Sequence, residues 1–396
     1  MTEDEDAESR FQCPGESYTI SRADHLARLA AYYPDCGGCP RRHETGTLSP
    51  RARERLDQSH AAQRSAGVLH PEGVGGIAWN EFTPELTRAW ARAFGLTLRD
   101  HATQGDDAAG PRVLLASDGR QLSPEFVAAG AEGLRWAGCR VIDLGAATAP
   151  CLAVSVARLP ADGGLLVANP RGALASVGLK FWSDGGRPLS AGRGLETIAR
   201  RLEQGLDRPV RVAPAARRDS IAAEYFGHLQ PSFHGLRPLN LWLETTCGPF
   251  TALVEQLLSP TACQLIVGRV AQDKTAAHLR IQVDADGEGC RVFDEKGREA
   301  TPAELVRLLG ASLRSEGADT REEVALPNEV PSAMSREDFW QAMRDSRAPL
   351  GAGAEGRYWF AGDPPVPDAL AVLAHLLAYL SESDAPFSER IARVNA

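Results

Sequence analysis

Apolar positions recur at two periods along most of this chain, and the two periods take turns. Leu86, Trp90 and Phe94 share one face at helical spacing, just after Thr83-Pro84-Glu85. That tripeptide is a capping residue followed by a proline suited to a first helical turn, so a helix is predicted, ended by Gly95. Val113 to Ala116 reads as a short buried strand. Ser123-Pro124-Glu125 opens a second helix that Gly138 closes. Val141 to Leu144 is a strand, Ala149 to Arg158 a helix and Leu165 to Ala168 a strand. The cycle restarts with strand Leu239 to Leu243, helix Thr251 to Leu258, and strands Cys263 to Val267 and Leu279 to Val283. Thr301-Pro302 caps a helix running to about Arg314, and Val324 to Leu326 reads as a strand. Ser335 caps a helix through Met343. Asp368 caps a last helix carrying Leu370, Leu373, Leu377 and Leu380. Alternation of this kind predicts parallel strands joined by helical crossovers.

Length turns these elements into units. With 396 residues the chain exceeds one ordinary core. Three α/β/α units are expected, over 74–198, 199–299 and 300–396. A small module over 1–73 precedes them, holding three cysteines and a linker whose joint is Pro71 and Gly73 to Gly76. Hydrophobic content of 43% and charged content of 24% are those of a globular protein. The net charge of -9 argues against a nucleic-acid or anionic-membrane partner, since phosphate neutralisation needs basic patches. The start, MTEDEDAESR, has no apolar core for a secretory signal. No apolar run approaches the ~20 residues of a membrane span. A cytoplasmic location is the expectation.

Ligands of open parallel sheets gather beyond the carboxyl ends of the strands. Four loops stand there. They are Ala116-Ser117-Asp118-Gly119-Arg120, the stretch from Gly163 through Asn169-Pro170-Arg171-Gly172 to Lys180-Phe181, Asp284-Ala285-Asp286-Gly287-Glu288, and Gly353-Ala354-Glu355-Gly356-Arg357. Asp284, Asp286 and Glu288 alternate on a tight loop. They can form an oxygen site for Mg2+, and the same Asp-Gly composition also makes an ordinary hairpin turn. Arg291 to Arg298 continues as strand and turn, in keeping with a hairpin. In the N-terminal module, Cys36-Gly37-Gly38-Cys39 with Cys13 and His43 could form a tetrahedral Zn2+ site, with His25 as a competing ligand. The alternative is a pair of reduced thiols; an iron–sulfur cluster lacks a nearby fourth thiol. Cys139, Cys151, Cys247, Cys263 and Cys290 lie in or beside apolar segments and read as core.

The order and wording of these segments resemble the α-D-phosphohexomutases, the phosphomannomutase/phosphoglucomutase family, from about Gly75 to Leu380. The family reads L-T-P-E-L near its start, then D-x-R-x-S-S-P-E, matched at Thr83-Pro84-Glu85-Leu86 and at Asp118, Arg120, Ser123, Pro124 and Glu125. Its D-L-G-x-x-P-T-P is matched by Asp143-Leu144-Gly145, with Pro150 in the last place. Its G-G-I-M-V-T-A-S-H-N-P-P-E-Y-N-G-L-K-F aligns without a gap from Gly163 to Phe181. The resemblance implies three tandem phosphohexomutase-like α/β/α domains with mixed, mainly parallel sheets. It also implies a phosphoserine that donates and recovers a phosphoryl group beside a Mg2+ held by three Asp residues. Here Pro170 stands at the phosphoserine and Arg171 at the following His. Lys180 matches the family lysine, a proton-transfer candidate. Gly289 stands where the metal loop has Arg. The sugar-selecting loop G-E-x-S-G-H corresponds to Gly353 to Arg357, so that Glu355, Gly356 and Arg357, with Arg120 and Arg171, are the candidate substrate contacts. The Gly-Ile-Arg-Gly opening has become Gly76-Ile77-Ala78-Trp79, and D-C-A-N-G has become Glu244-Thr245-Thr246-Cys247-Gly248. The family's fourth domain, with its phosphate clamp, is expected to be absent.

Proline has no nucleophilic oxygen, so the family relay cannot run through position 170. The expectation is a phosphohexomutase homologue that binds a hexose phosphate, a protein partner or both without the phosphoserine mechanism. Two alternatives stand beside it. One is an active mutase with a rearranged site, for which Ser176 is the candidate nucleophile; the other is a scaffold or regulatory subunit.

Overall fold

The computed structural model describes residues 11–13, 17–30, 36, 39–50, 53, 69–102, 110–169, 175–204, 216–218, 225, 227, 229–268, 277–315, 334–353 and 356–395. The strand expected at Val324 to Leu326 lies outside them. The N-terminal module holds a two-stranded antiparallel ribbon, β1 (Phe11–Gln12) and β2 (Thr19–Ile20), followed by helix α1 (Arg22–Ala30).

The first large sheet begins with β3 (Leu69–His70) and β4 (Gly73–Ile77), then α2 (Pro84–Ala102), β5 (Arg112–Ser117) and α3 (Ser123–Trp136). It continues through β6 (Arg140–Ala146), α4 (Ala149–Arg158), β7 (Gly163–Ala168), β8 (Ser176–Ser183), β9 (Pro188–Leu189), α5 (Gly194–Glu203) and β10 (Arg217–Arg218). Strand order is β10-β6-β5-β7-β8-β4-β3, with β9 added beside β8. The strands from β10 to β7 run parallel, and β8, β4 and β3 add antiparallel partners. The glycines expected to form a joint, Gly73 to Gly76, are instead strand β4, because β8 offers a free edge and Val74 pairs with Leu179.

Strand β5 is buried along Val113 to Ala116, and its side chains divide by alternation between two cores. Val113 and Leu115 join Phe94, Phe126, Leu134 and Phe181 under α2, α3 and α5. Leu114 and Ala116 join Leu152 and Val156 of α4 on the other face. That second core runs on without a break into the rest of the chain.

The second sheet is built from β11 (Asn240–Thr245), α6 (Gly248–Leu258), β12 (Gln264–Val267), β13 (Leu279–Val283) and β14 (Cys290–Phe293). Its order is β12-β11-β13-β14, parallel except for the β13–β14 hairpin. Next come α7 (Pro302–Ser315), α8 (Arg336–Ser346), β15 (Leu350–Ala352), β16 (Tyr358–Phe360), β17 (Val366–Pro367), α9 (Ala369–Ser381) and α10 (Phe387–Asn395). The third sheet, β15-β16-β17, is antiparallel among the described residues. Leu241 and Ile281 of the second sheet, Leu305 of α7 and Leu373 of α9 share one buried cluster with Leu114 of the first sheet. The architecture is mixed α/β. Asp368 caps α9 as expected, accepting from the N–H groups of Leu370 and Ala371 at 2.8 and 3.2 Å.

Helix α2 does not stop at Gly95 but runs to Ala102. The glycine is there for contact, not termination. A Cβ on Gly95 would lie 2.8 Å from Ala137 Cβ and 2.9 Å from Cys139 Sγ. Gly133 of α3 is as tight, since its Cβ would strike the backbone oxygen of Arg88 and sit 2.9 Å from Ala91 Cβ. Two glycines therefore set how closely α2 approaches α3 and the strand behind it. Gly133→Ala is expected to force the two helices apart and to lower the unfolding free energy by about 1–3 kcal/mol, read as a fall in the urea midpoint.

Candidate functional site

Alternation along β8 sends Val177, Leu179 and Phe181 into the core beneath α2 and α3. It turns Lys180 and Trp182 to the opposite face, where the second and third sheets pack. Lys180 is 2% exposed in the interior of that strand. An ammonium so placed must be paired or neutral. Its Nζ reaches Glu72 at 3.0 Å, Asp286 within hydrogen-bond contact and Glu288 at 3.4 Å.

The β13–β14 turn delivers two of those carboxylates. Asp284 accepts from the N–H groups of Gly287, Glu288 and Gly289 at 2.8, 3.0 and 2.7 Å. It thereby folds the turn around itself. Gly287 takes φ +83°, a conformation that suits glycine. The backbone oxygens of Asp286 and Gly287 accept from Ala149 N–H at 2.9 Å and Ala369 N–H at 3.2 Å, so the amino ends of α4 and α9 clamp the turn. The expected hairpin is what forms.

Two arginines complete the cluster. Arg336, the first residue of α8, pairs with Glu288 and lies 5.5 Å from the centre of the Trp182 ring. Ser335 accepts from Asp338 N–H and starts that helix at this place. Arg357, at the mouth of β16, pairs with Glu72 and lies 3.5 Å from Glu288. Residue 357 also bridges Gly289 in backbone register. Lys180, Arg336 and Arg357 thus face Glu72, Asp286 and Glu288 across the meeting of all three sheets. Next to Arg336, Glu337 accepts from the N–H groups of Ser190 and Gly194 at 3.4 and 3.2 Å, which ties α8 to the first sheet.

The charges tune one another. Burial pushes Glu72 up, but Lys180, Arg336 and Arg357 outweigh it and hold the carboxyl well below the usual range. Burial likewise opposes the charge of Asp286, and Lys180 and Arg357 prevail and lower it. Burial lowers Lys180, yet Asp286, Glu288 and Glu72 raise it above an ordinary lysine. Asp284 is pushed up, first by burial and then by Asp286 and Glu288.

Three carboxylates meant for a divalent ion should converge on one open point. Here Asp284 turns to backbone amides, Asp286 to Lys180, and Glu288 to Lys180, Arg336 and Arg357. A divalent ion on the same carboxylates, roughly 4 Å from the ammonium, would meet about 8 kcal/mol of repulsion at an effective dielectric of 20. In this arrangement the donor set does not fit Mg2+. Among the described residues no group of three His, Cys, Asp or Glu side chains is placed to hold a metal ion. No such group gathers Cys13, Cys36, Cys39 and His43, so the Zn2+ expectation is not supported among the described residues. Cys13 packs with Phe11 and Ile20 and accepts from Arg28 at 3.2 Å. Cys36 packs with Leu29. His43 Nε2 accepts from Arg42 at 3.0 Å. His25 stacks on Phe11 at 4.2 Å, and burial lowers its pKa.

Arg120 stands apart from the six charges. Its Nε donates to buried Asp118 at 2.6 Å and its Nη1 to the Ser176 carbonyl at 2.9 Å, while the Ser123 hydroxyl donates to Asp118 at 2.7 Å. Ser176 is 2% exposed, as a residue of β8 and not of a loop. Gly356 takes φ +72° with its α-carbon against the Cys290 carbonyl. Pro170, Arg171 and Glu355 lie outside the described residues. Cys139, Cys151, Cys247 and Cys290 are buried, and burial pushes the thiols of Cys139 and Cys151 up to about 12. Glu72 and Arg336 escaped the sequence reading. Glu72 sits in a two-residue turn that carries no motif, and Arg336 was visible only as the residue after a helix cap.

Lys180→Met should strip buried Asp286 and Glu288 and half-buried Glu72 of their shared cation and cost about 3–5 kcal/mol of unfolding free energy in chemical denaturation. The pH dependence follows from Glu72 and Asp286, whose folded values are depressed. Their contribution is present above the unfolded carboxylate values near ~4 and is lost as pH falls below them toward the folded values. Glu72→Gln is therefore expected to flatten the acid limb of the urea midpoint against pH.

Among known proteins, the family model for phosphoglucomutase/phosphomannomutase, alpha/beta/alpha domain I, matches residues 69–207. A phosphoglucosamine mutase of Renibacterium salmoninarum is 27% identical over 62% of this chain and 59% of its own length. One of Lacticaseibacillus casei is 23% identical over 69% of this chain and 64% of its own. The chain thus spans about three fifths of the length of these curated relatives. A solved phosphoglucomutase/phosphomannomutase family protein of Burkholderia thailandensis superposes with a TM-score of 0.67 at 20% identity, over 84% of this chain and 79% of that one. The first sheet and its helices thus match domain I of the phosphoglucomutase/phosphomannomutase family, and the fold over most of the chain is similar to that of a solved protein of that family.

Proposed function

We propose that this chain is a phosphohexomutase-family protein that binds a hexose phosphate or a protein partner and does not carry the phosphoserine relay. One observation carries the reading. The family lysine, Lys180, is locked among Glu72, Asp286 and Glu288, in a chain whose sequence has Pro170 where the family has its phosphorylated serine. A proton-transfer group must reach the proton it moves and have a pKa near the working pH. Lys180 is buried among carboxylates that raise its pKa, which keeps it a cation.

The candidate sugar-phosphate contacts support a binder more than a catalyst. Arg357 and Arg120 are positioned by carboxylates, Glu72 and Asp118, that hold their guanidinium groups in fixed orientations. A guanidinium has five N–H donors, so one oriented by a carboxylate can also serve a phosphate dianion while it stays paired. Relatives named phosphoglucosamine mutase make an amino-hexose phosphate the first ligand to try.

The test is direct. Purified protein incubated with glucose 1,6-bisphosphate and Mg2+ is expected to show no phosphoryl adduct by intact mass, and no interconversion of hexose 1- and 6-phosphates in a coupled assay. A stoichiometric adduct or steady turnover would refute the reading. Thermal scanning against hexose and hexosamine phosphates then separates a ligand binder, whose midpoint rises with concentration, from a partner-binding scaffold, whose midpoint does not.

A further inference from the structure

We infer that Lys180, Arg336 and Arg357 are the resident counter-charge of the Asp284–Glu288 turn, and that this chain closes its three sheets around the turn without a divalent ion. The three cations come from different places in the fold. Lys180 lies on β8 of the first sheet, Arg336 begins α8, and Arg357 leads into β16. Each pairs with a carboxylate of the turn or with Glu72. Glu72 adds a carboxylate from outside the turn, and it sits between Lys180 and Arg357.

The arrangement answers the charge of the turn group by group. Asp284 is satisfied by three backbone N–H groups. Asp286 is taken by Lys180, and Glu288 by Arg336 with Lys180 and Arg357 nearby. Asp286 and Glu288 are 6% and 1% exposed, so no open carboxylate oxygen is left for a hydrated ion to approach. A Mg2+ ion keeps several waters and near-octahedral order. Room for it would require Lys180 to withdraw from an interior strand position. The fixed side chains do instead what an ion would do, since they neutralise the turn and draw three sheets onto it. They cannot dissociate, so the closed arrangement is independent of metal supply.

Metal titration of the full-length protein after EDTA dialysis tests this without a mutant. Calorimetry with Mn2+ is expected to show no saturable binding. The melting temperature is expected to be the same in EDTA and in ~10 mM Mg2+, where even a site of ~0.1 mM affinity would raise it by mass action. Binding of one Mn2+ per chain, reversed by EDTA, would overturn the inference. Lys180→Met provides the converse arm, because Asp286 loses its cation while Glu72 and Glu288 keep only their arginines, so the turn should now recruit an ion and Mn2+ affinity should rise at least about tenfold over the parent. If that variant folds only when divalent ion is supplied, the recovery of folded protein against Mn2+ concentration reads the same gain. Arg336→Gln, which keeps Lys180, is the second variant and should show the smaller gain. A folded Lys180→Met protein that Mn2+ neither binds nor stabilises would count against the substitution of side chain for ion. Phosphorylation of the protein by a bisphosphate would bear on the proposed function alone and leave this inference standing.

Discussion

A lysine ammonium in the middle of a buried strand is the constraint from which the centre of this molecule follows. Strand alternation fixes where Lys180 points, and the apolar packing of Leu179 and Phe181 on the other face keeps it there. An unpaired ammonium at 2% exposure would not persist as a cation. Carboxylates have to come to it, and the chain supplies them from two directions. One is the short turn before β4, which carries Glu72. The other is the β13–β14 turn, which carries Asp286 and Glu288. Those carboxylates are themselves too buried to stand with one lysine, and so Arg336 and Arg357 are drawn in.

The same constraint explains why the three sheets share one interior. The β13–β14 turn receives the amino ends of α4 and α9 through the Asp286 and Gly287 carbonyls. Glu337, one residue beyond Arg336, settles on the amino end of α5. Such contacts direct helix dipoles and carboxylates at one another over short distances. Around them lies the continuous apolar cluster that includes Leu114, Leu243, Ile281 and Leu373. Burial of that cluster supplies most of the stabilisation, because buried ion pairs add little net stability over apolar contacts. The ion set instead fixes which carboxylate meets which cation, and with it the register between sheets.

Much of this was legible in the sequence, and the limits are physical. The helices and strands show through because apolar periodicity and caps such as Thr83 and Ser335 are local signals. Gly95 misled because a glycine needed for close helix packing looks like a glycine that ends a helix. Gly73 to Gly76 misled for a similar reason, since a glycine-rich strand has few side chains to alternate. Lys180, Asp286, Glu288 and Arg357 could be singled out by their place in motifs. Glu72 and Arg336 could not, because their role exists only once residues far apart in the chain meet. Spacing alone left the Asp284–Glu288 turn open to a metal. Only the partner of each carboxylate decides that question, and partners are a property of the fold.

The family resemblance and the altered site can stand together because they draw on different residues. The parallel strands β5, β6 and β7 and their helices are held by apolar contacts that none of the site substitutions touches. Fold is therefore free to persist while site chemistry changes. The turn that alternates Asp284, Asp286 and Glu288 is likewise retained as a backbone object, since Asp284 and Gly287 shape it through hydrogen bonds and a left-handed residue. What differs is the charge that fills the space beside it. An exchangeable ion needs an open oxygen site, whereas three side chains anchored on β8, at the start of α8 and at the mouth of β16 need only stay paired. The two solutions make the same turn acceptable in the interior, and they make different demands on the surrounding chain. The second requires Glu72 in its turn, Arg336 at a helix start and Arg357 at a strand mouth, all at once. Those three positions are where this chain commits its centre to structure.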